Sequence, residues 1–528
     1  MSLLARRLVT ISAMAVLSAA SSPAAAQTPR GEAACTALAQ VQVPGASLSD
    51  VKATWVPAGS PPPAQPPWMP ALPPLPAHCR FDATLDRRTG TGGTSYGIGF
   101  ALGLPLEWNG RFLFQGGGGL NGTVAPPLGR TGHDDSALGR GFAVVTTDTG
   151  HRGEAFDASF MADQQASLDF AYQAIGRVAV LAKQIVAQYY GAPPAHSYFM
   201  GCSTGGREGM VMAQRYPTYF DGVIIGAPAM RTNFSGIGDE WVATMLNRAA
   251  PRDASGKPET RRALSDADRK AVVDGVLAAC DGMDGARDGI VSDPIGCRFD
   301  PAALRCQGAK ADACLSPTQT DAIAMAFAGP KDSKGRQVYP GFPFDTGIAA
   351  TQGLSGLLVG TPNPVGPPFT ATEMDVDARA AQAAADPLMQ LTATSSWTNL
   401  NTFSARGGKL LFYHGVSDPW FSALDTVDYY DRMAKANGGA AAVTSWSRLF
   451  LVPGMGHCSG GPAALDGFDM LPAIVEWVEG NRPPDAIRAT SRSWPGRSRP
   501  LCPYPSHAHY SGNGDPEDAA SFECRPPQ

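Results

Sequence analysis

Ser203 stands in Gly201-Cys202-Ser203-Thr204-Gly205, the G-x-S-x-G pattern of a nucleophile elbow. A serine hydroxyl attacks a carbonyl only with a base to take its proton and an acid to orient that base. In a chain with 60 glycines the pattern alone is weak. Its flanks strengthen it: Ser197 to Met200 reads as a short buried strand, and Gly206 to Tyr216 as a helix that Pro217 stops. After such an elbow the acid and then the base follow in chain order, each on a loop past a strand. Asp418 lies just past the strand pattern Lys409 to His414, and His457 just past Arg448 to Val452. Of eight histidines, His457 alone combines a late position, a post-strand loop and glycine neighbours. His414 reads as buried or pocket-lining. Asp425, the rival acid, falls inside a predicted helix over 423–436.

The oxyanion of an acyl-transfer reaction needs two N–H donors. Thr204, directly after the serine, supplies one. Gln115-Gly116-Gly117-Gly118-Gly119-Leu120-Asn121-Gly122 follows a strand pattern and supplies the other. A phosphate cradle is the competing reading, but no G-K-S/T follows and no G-x-G-x-x-G spacing is present. Trp420 and Phe421, next to Asp418, either stack on an aromatic acyl group or pack the lid. Asp148 and His151, at a strand end, read as loop hydrogen-bonders.

Ten cysteines in an exported chain read as disulfides. Spacing pairs Cys280 with Cys297, Cys306 with Cys314, Cys502 with Cys524 and Cys35 with Cys79. Cys202 and Cys458 remain, one before the nucleophile and one after the base. A bridge between them ties the two catalytic loops together; the alternative is a free buried Cys202. Asp281, Asp284 and Asp288, interleaved with glycines, suit a hard cation, with the carbonyls of Ala286 and Ile290 completing a Ca²⁺ shell. The alternative is an acidic solvated turn. Nothing indicates an organic cofactor.

Strands alternating with helices, including the amphipathic run Leu168 to Tyr190 closed by Gly191, predict a mainly parallel α/β sheet. Asn109-Gly110 predicts a hairpin turn between strands over 95–106 and 111–114. Cys35 to Cys79 reads as mostly irregular, with an extended, exposed proline-rich stretch from Pro61 to Pro76. Residues 1–26 read as a signal peptide: Arg6 and Arg7, an apolar run, then Ala24-Ala25-Ala26. Residues 27–228 and 407–528 form a catalytic domain, and 229–406 an inserted lid domain. The expected location is therefore periplasmic or extracellular. The net charge of -5, with no basic run, argues against a nucleic-acid partner, and no later stretch reads as transmembrane. Oligomeric state is not legible.

Gly-Cys-Ser-Thr-Gly-Gly at 201–206, Ser417-Asp418, His457-Cys458 and the ten cysteines together resemble the tannase/feruloyl esterase family of α/β-hydrolases, over nearly the whole mature chain. The resemblance implies a doubly wound sheet with a large inserted lid, a structural lid calcium, and hydrolysis of esters of hydroxylated aromatic acids. It implies Ser203, Asp418 and His457 as triad, Gly119 and Thr204 as oxyanion donors, and the Cys202–Cys458 bridge. It matches Asp281, Asp284 and Asp288, with the Ala286 and Ile290 carbonyls, to calcium ligands. The chain also looks close to the branch that hydrolyses mono(2-hydroxyethyl) terephthalate, through the stretches 449–455 and 501–505. It departs from that branch where Thr204 replaces a glutamate, where Trp420 replaces a small residue, and between Gly360 and Thr370, which hold no carboxylate-binding arginine.

The expected activity is therefore a serine carboxylic ester hydrolase for feruloyl, hydroxycinnamoyl or galloyl esters. The alternatives are a terephthalate-monoester hydrolase and, in another class, a non-catalytic aromatic- or glycan-binding protein on the same fold.

Overall fold

A computed structural model describes residues 31–64, 71–130 and 135–527. The expected signal peptide, 1–26, lies outside them. Nine strands form one mixed sheet: β1 (Leu48–Val56), β2 (His78–Thr89), β3 (Ser95–Pro105), β4 (Arg111–Gln115), β5 (Ala143–Thr147), β6 (His196–Cys202), β7 (Gly222–Gly226), β8 (Lys409–Gly415) and β9 (Ser447–Val452). Their order is β1-β2-β3-β5-β4-β6-β7-β8-β9. From β5 to β9 every pairing is parallel, while β1, β2 and β3 form an antiparallel flank joined to β5.

Side chains of a strand alternate between its faces. Here both faces are covered, so both alternating sets are apolar. Phe112, Phe114, Phe199, Val223, Ile225, Leu410 and Phe412 enter one core cluster. Their neighbours Leu113, Tyr198, Ile224 and Leu411 enter the other. β5 and β7 are buried at every position, the continuous apolar run of a central parallel strand.

The expected helix before β6 is a single run from Gln164 to Tyr190, with a π-helical turn over Asp169–Gln173 and Gly191 capping it at φ 76°. The segment from β7 to β8 contributes no strand to the sheet. It carries the helices Thr232–Ala249, Asp266–Cys280 and Pro317–Ala328. Ser265 with Asp268, and Ser316 with Gln319, form capping boxes that start the last two. These helices bury a cluster drawn only from residues between 234 and 358, a core separate from those of the sheet.

One expectation fails, and another holds only in part. Asn109-Gly110 closes no hairpin, because β5 lies between β3 and β4. Asn109 instead folds a local turn by accepting from the Arg111 N–H. The stretch between Cys35 and Cys79 is mostly irregular among its described residues, as expected, but it also carries the nine-residue strand β1. β1 is an edge strand in which Val51, Ala53 and Trp55 are partly buried and Asp50, Lys52 and Thr54 exposed, with a register shift between Ser49 and Lys52. Part of the proline-rich stretch is undescribed, but its Leu72 and Leu75 are buried against the sheet rather than exposed.

Candidate active site

Ser203 sits between β6 and the helix Thr204–Arg215 at φ 64°, ψ −123°. A non-glycine residue there is strained, and only the surrounding structure holds it. Part of that hold is main chain: the Ser203 N–H donates to Gly226 O at 3.0 Å, and its carbonyl accepts from Arg207 and Ala229. A Cβ at Gly201 would lie 2.6 Å from the Gly205 backbone, so only glycine allows strand and helix to meet this tightly.

The glycine-rich loop after β4 lies against the elbow. Gly205 donates to Gly117 O at 3.0 Å. Glu208, fully buried on the elbow helix, accepts from Gly117 N–H at 3.0 Å and from Asn121 Nδ2 at 2.7 Å. Burial pushes the Glu208 carboxyl up, against the charge of Arg207 and these hydrogen bonds. Arg207, also buried, donates to the carbonyls of Phe170 and Ala171 in the π-helical turn. The Thr204 hydroxyl donates to the Gly119 carbonyl, which joins the two expected oxyanion residues directly.

Asp418 and His457 meet across two neighbouring loops. His457 Nδ1 lies 2.7 Å from Asp418 Oδ2. Asp418 Oδ1 accepts from the N–H groups of Trp420 (2.9 Å) and Phe421 (3.0 Å). The loops are strapped by Val416 N–H to Val452 O and Ser417 N–H to Met455 O. A Cβ at Gly415 would run into the Gly456 carbonyl, so this approach requires glycine. Burial alone would push the Asp418 carboxyl up. The charge of His457 and the hydrogen bonds of His414 and His457 overcome that and hold it below the usual carboxylate range. With Nδ1 facing a carboxylate, the His457 proton belongs on Nδ1 and leaves Nε2 as the basic atom. Nε2 is buried and has no hydrogen-bond partner among the described residues.

His414 is fully buried, as expected of a strand-end histidine. Its Nε2 lies 2.9 Å from Phe421 O and 3.4 Å from Asp418 Oδ2, and its Nδ1 2.8 Å from Thr426 Oγ1. Asp425 lies in the helix Ala423–Ala436 and pairs with Arg231, where the lid segment leaves the sheet. Asp148 accepts from the N–H groups of Gly99 and Gly150 at 2.9 Å each, and His151 stacks on Phe160 at 3.7 Å, so both serve the loop after β5.

Cys202 and Cys458 are bridged, with Cα atoms 6.0 Å apart. The other four pairs are also as spaced: Cys35–Cys79, Cys280–Cys297, Cys306–Cys314 and Cys502–Cys524. Cys458 has φ 64°, so non-glycine residues in the left-handed region flank the bridge on both loops.

Two cavities reach Ser203. One of about 400 Å³ lies against the segment between β7 and β8, lined by Gly119, Thr204, Phe156, Trp420 and Phe421 among others. One of about 490 Å³ is lined by Gly116 to Gly119, His457, Cys458 and Met470. The rings of Trp420 and Phe421 each sit 5.2 Å from the His457 ring, edge to face.

Sequence reasoning missed Asp345. This carboxylate of the segment between β7 and β8 is fully buried and accepts from Ser417 Oγ at 2.8 Å and from Gly454 N–H at 2.7 Å, gripping the loops after β8 and β9. It also missed Glu208 and Asn121. Asp345 stands near no recognisable motif, whereas Asn121 lies inside the glycine-rich loop and Glu208 on the elbow helix, where neither residue type signals its distant partner.

In the loop 281–290, Asp281 Oδ1 accepts from Asp288 and Gly289, Asp284 Oδ1 from Ala286, and Asp288 Oδ1 from Ile290. Asp288 Oδ2 pairs with the buried Arg499. Asp284 Oδ2 is buried without a partner, and burial, with the charges of Asp288 and Asp281, lifts its carboxyl to about 6. That orphan oxygen fits a cation. No trio of His, Cys, Asp or Glu side chains among the described residues already converges at metal-binding distance.

A family model described as tannase and feruloyl esterase matches residues 86–364 and 366–525. The chain is 40% identical over 519 residues to mono(2-hydroxyethyl) terephthalate hydrolase of Piscinibacter sakaiensis, covering 85% of each chain. It is 32% identical over 454 residues to a probable feruloyl esterase B-1 of Aspergillus oryzae, covering 80% of each. Among solved structures, feruloyl esterase B from Aspergillus oryzae aligns at a TM-score of 0.75 and 29% identity, over 93% of this chain and 99% of that one. Tannin acyl hydrolase from Aspergillus niger shares the fold at a TM-score of 0.71 and 22% identity, over 94% and 96% of the two chains. An elbow serine, a carboxylate-held histidine and a cysteine bridge beside both thus stand on an α/β-hydrolase sheet, and the chain belongs to the tannase and feruloyl esterase family of carboxylic ester hydrolases.

Proposed function

We propose that the chain hydrolyses esters of hydroxylated aromatic acids through an acyl-enzyme on Ser203. The observation that carries this reading is the His457–Asp418 contact at 2.7 Å, with the unpartnered Nε2 of His457 turned away from it. His457 Nε2 takes the Ser203 proton as the oxygen attacks the ester carbonyl. The N–H groups of Gly119 and Thr204 hold the oxyanion. The imidazolium, steadied by Asp418, protonates the departing alcohol, and water then releases the acid by the same route in reverse. Relatives named as feruloyl esterases, and the match to the tannase and feruloyl esterase family model, support the choice of acid.

Activity on terephthalate monoesters is the second reading, favoured by the 40% identity. Against it, residues 360–370 hold no arginine, and Arg379, which lines the lid-side cavity, is paired with Glu240 at 2.8 Å. Five disulfides fit an oxidising compartment, so we also infer export. We further infer a structural Ca²⁺ held by Asp281, Asp284 and Asp288 with the carbonyls of Ala286 and Ile290. It supplies positive charge to a carboxylate-rich loop and takes no part in the chemistry.

The test compares methyl ferulate, methyl gallate and mono(2-hydroxyethyl) terephthalate, for the wild type and Ser203→Ala. The variant should lose at least about 10⁴-fold in kcat. Equal turnover by the variant would sink the triad, and fastest turnover of the terephthalate monoester would overturn the substrate class.

A further inference from the structure

The lid helix Thr232–Ala249 brings Asp239 to the wall of the same 400 Å³ cavity that Ser203, Trp420 and Phe421 line. Asp239 is 5% exposed, and its Oδ1 is buried with no hydrogen-bond partner among the described residues. A buried polar atom left alone costs about 1–3 kcal/mol, so such atoms mark places where something else completes the bonding. No basic side chain among the described residues does so. Arg379, on the same wall, is held by Glu240. Burial, and then the charge of Asp418, raises the Asp239 carboxyl well above its ordinary range, which favours the protonated acid. A protonated carboxyl both donates and accepts. Trp420 adds a second unpartnered buried atom to this wall, Nε1, which only donates. Phe156, whose ring meets that of Trp420 at 5.8 Å, and Phe421 add aromatic surface to the same cavity, beside polar residues such as Ser235 and Asn233.

We propose that Asp239 is the specificity-determining residue of this cavity, its carboxyl hydrogen-bonding a neutral hydroxyl on the aromatic ring of the acyl group. The proposal rests on the ester-hydrolase reading above. A ring hydroxyl offers one donor and one acceptor, the complement of a carboxylic acid. A bare ring leaves Asp239 unpartnered in the complex. A site built to bond a substrate hydroxyl discriminates strongly against the analogue that lacks it, because its own polar group is then stranded.

The experiment measures kcat/KM on methyl 4-hydroxycinnamate and methyl cinnamate, which differ by the hydroxyl alone, for the wild type, Asp239→Leu and Asp239→Asn. The wild type should favour the hydroxylated ester by about tenfold or more. Asp239→Leu should bring the ratio close to one, chiefly by slowing the hydroxylated ester. Asp239→Asn, whose carboxamide also donates and accepts, should keep much of the preference. Should the leucine variant not fold, Asp239→Ala removes the carboxyl without added bulk and answers the same question. A wild type without preference overturns the proposal, and so does a ratio that survives Asp239→Leu or Asp239→Ala while both rates fall together. 4-Nitrophenyl acetate, whose acetyl group carries no ring, separates the two levels. If the wild type hydrolyses neither it nor the cinnamates, the ester-hydrolase reading falls and takes the inference with it. If all are hydrolysed without regard to the hydroxyl, the inference falls alone.

Discussion

The hydroxyl of Thr204 donates to the carbonyl oxygen of Gly119, so the residue after the nucleophile and the glycine loop beside it are tied by one side chain. Both expected oxyanion N–H groups belong to these two residues. Thr204→Val keeps shape and removes the tie. Its kcat should fall about tenfold with KM little changed, less than the hundredfold or more that loss of a whole donor costs. Steady-state kinetics on a single methyl ester checks this; a change confined to KM would count against the positioning role.

The Cys202–Cys458 bridge holds the serine and histidine loops side by side. Misplacing reacting groups by about 1 Å costs on the order of a hundredfold in rate. The double variant Cys202→Ala, Cys458→Ala should therefore lose about a hundredfold in kcat while circular dichroism at 25 °C stays near native. Its melting point should also drop, since closing so long a loop stabilises by about 4–5 kcal/mol in the chain-entropy model. Full activity per folded molecule would refute the positional role.

Removing calcium should lower the melting temperature. Asp284 is the reporter, because its Oδ2 is buried without a partner. Chelator should destabilise the wild type, added Ca²⁺ should restore it, and Asp284→Asn should melt low and respond to neither. A wild-type melting curve indifferent to chelator would count against the lid site.

Asp148 gives stability a pH slope. Burial lifts its carboxyl to about 7, against the N–H bonds from Gly150 and Gly99. The folded chain therefore keeps a proton that the unfolded chain releases near pH 4. Stability should fall as pH rises from about 4 to 7, by up to about 1.4 kcal/mol per unit from this group, and level off above. Asp148→Asn can still accept both N–H bonds and has no proton to release. Its melting temperature should depend less on pH over that range, as scanning calorimetry at several pH values would report.

The site's local part was readable because its signals are local. An elbow needs glycines around a serine, and the acid and base loops each follow an apolar strand run, so Ser203, Asp418 and His457 announce themselves within a few residues. The cysteine beside each loop made the pairing legible as well. What stayed hidden depends on distant segments. Asp345 lies 72 residues before the Ser417 it grips, and Glu208 is 87 residues past Asn121. Asp239 reads as one acid in a lid helix until the cavity is seen. The false hairpin at Asn109-Gly110 has the same origin: the turn signal is real, but β5, arriving later in the chain, inserts between the two strands.

The bridge also changes what a cut in the chain can do. Cys202 precedes every residue of the segment between β7 and β8 and Cys458 follows all of them, at a sequence separation of 256. A protease that nicks any lid loop opens a closed covalent ring without releasing a fragment. Both ends stay attached to the core that holds Ser203 and His457, and separation requires a reductant as well. The segment between β7 and β8 is thus retained by the same link that holds the Ser203 and His457 loops together.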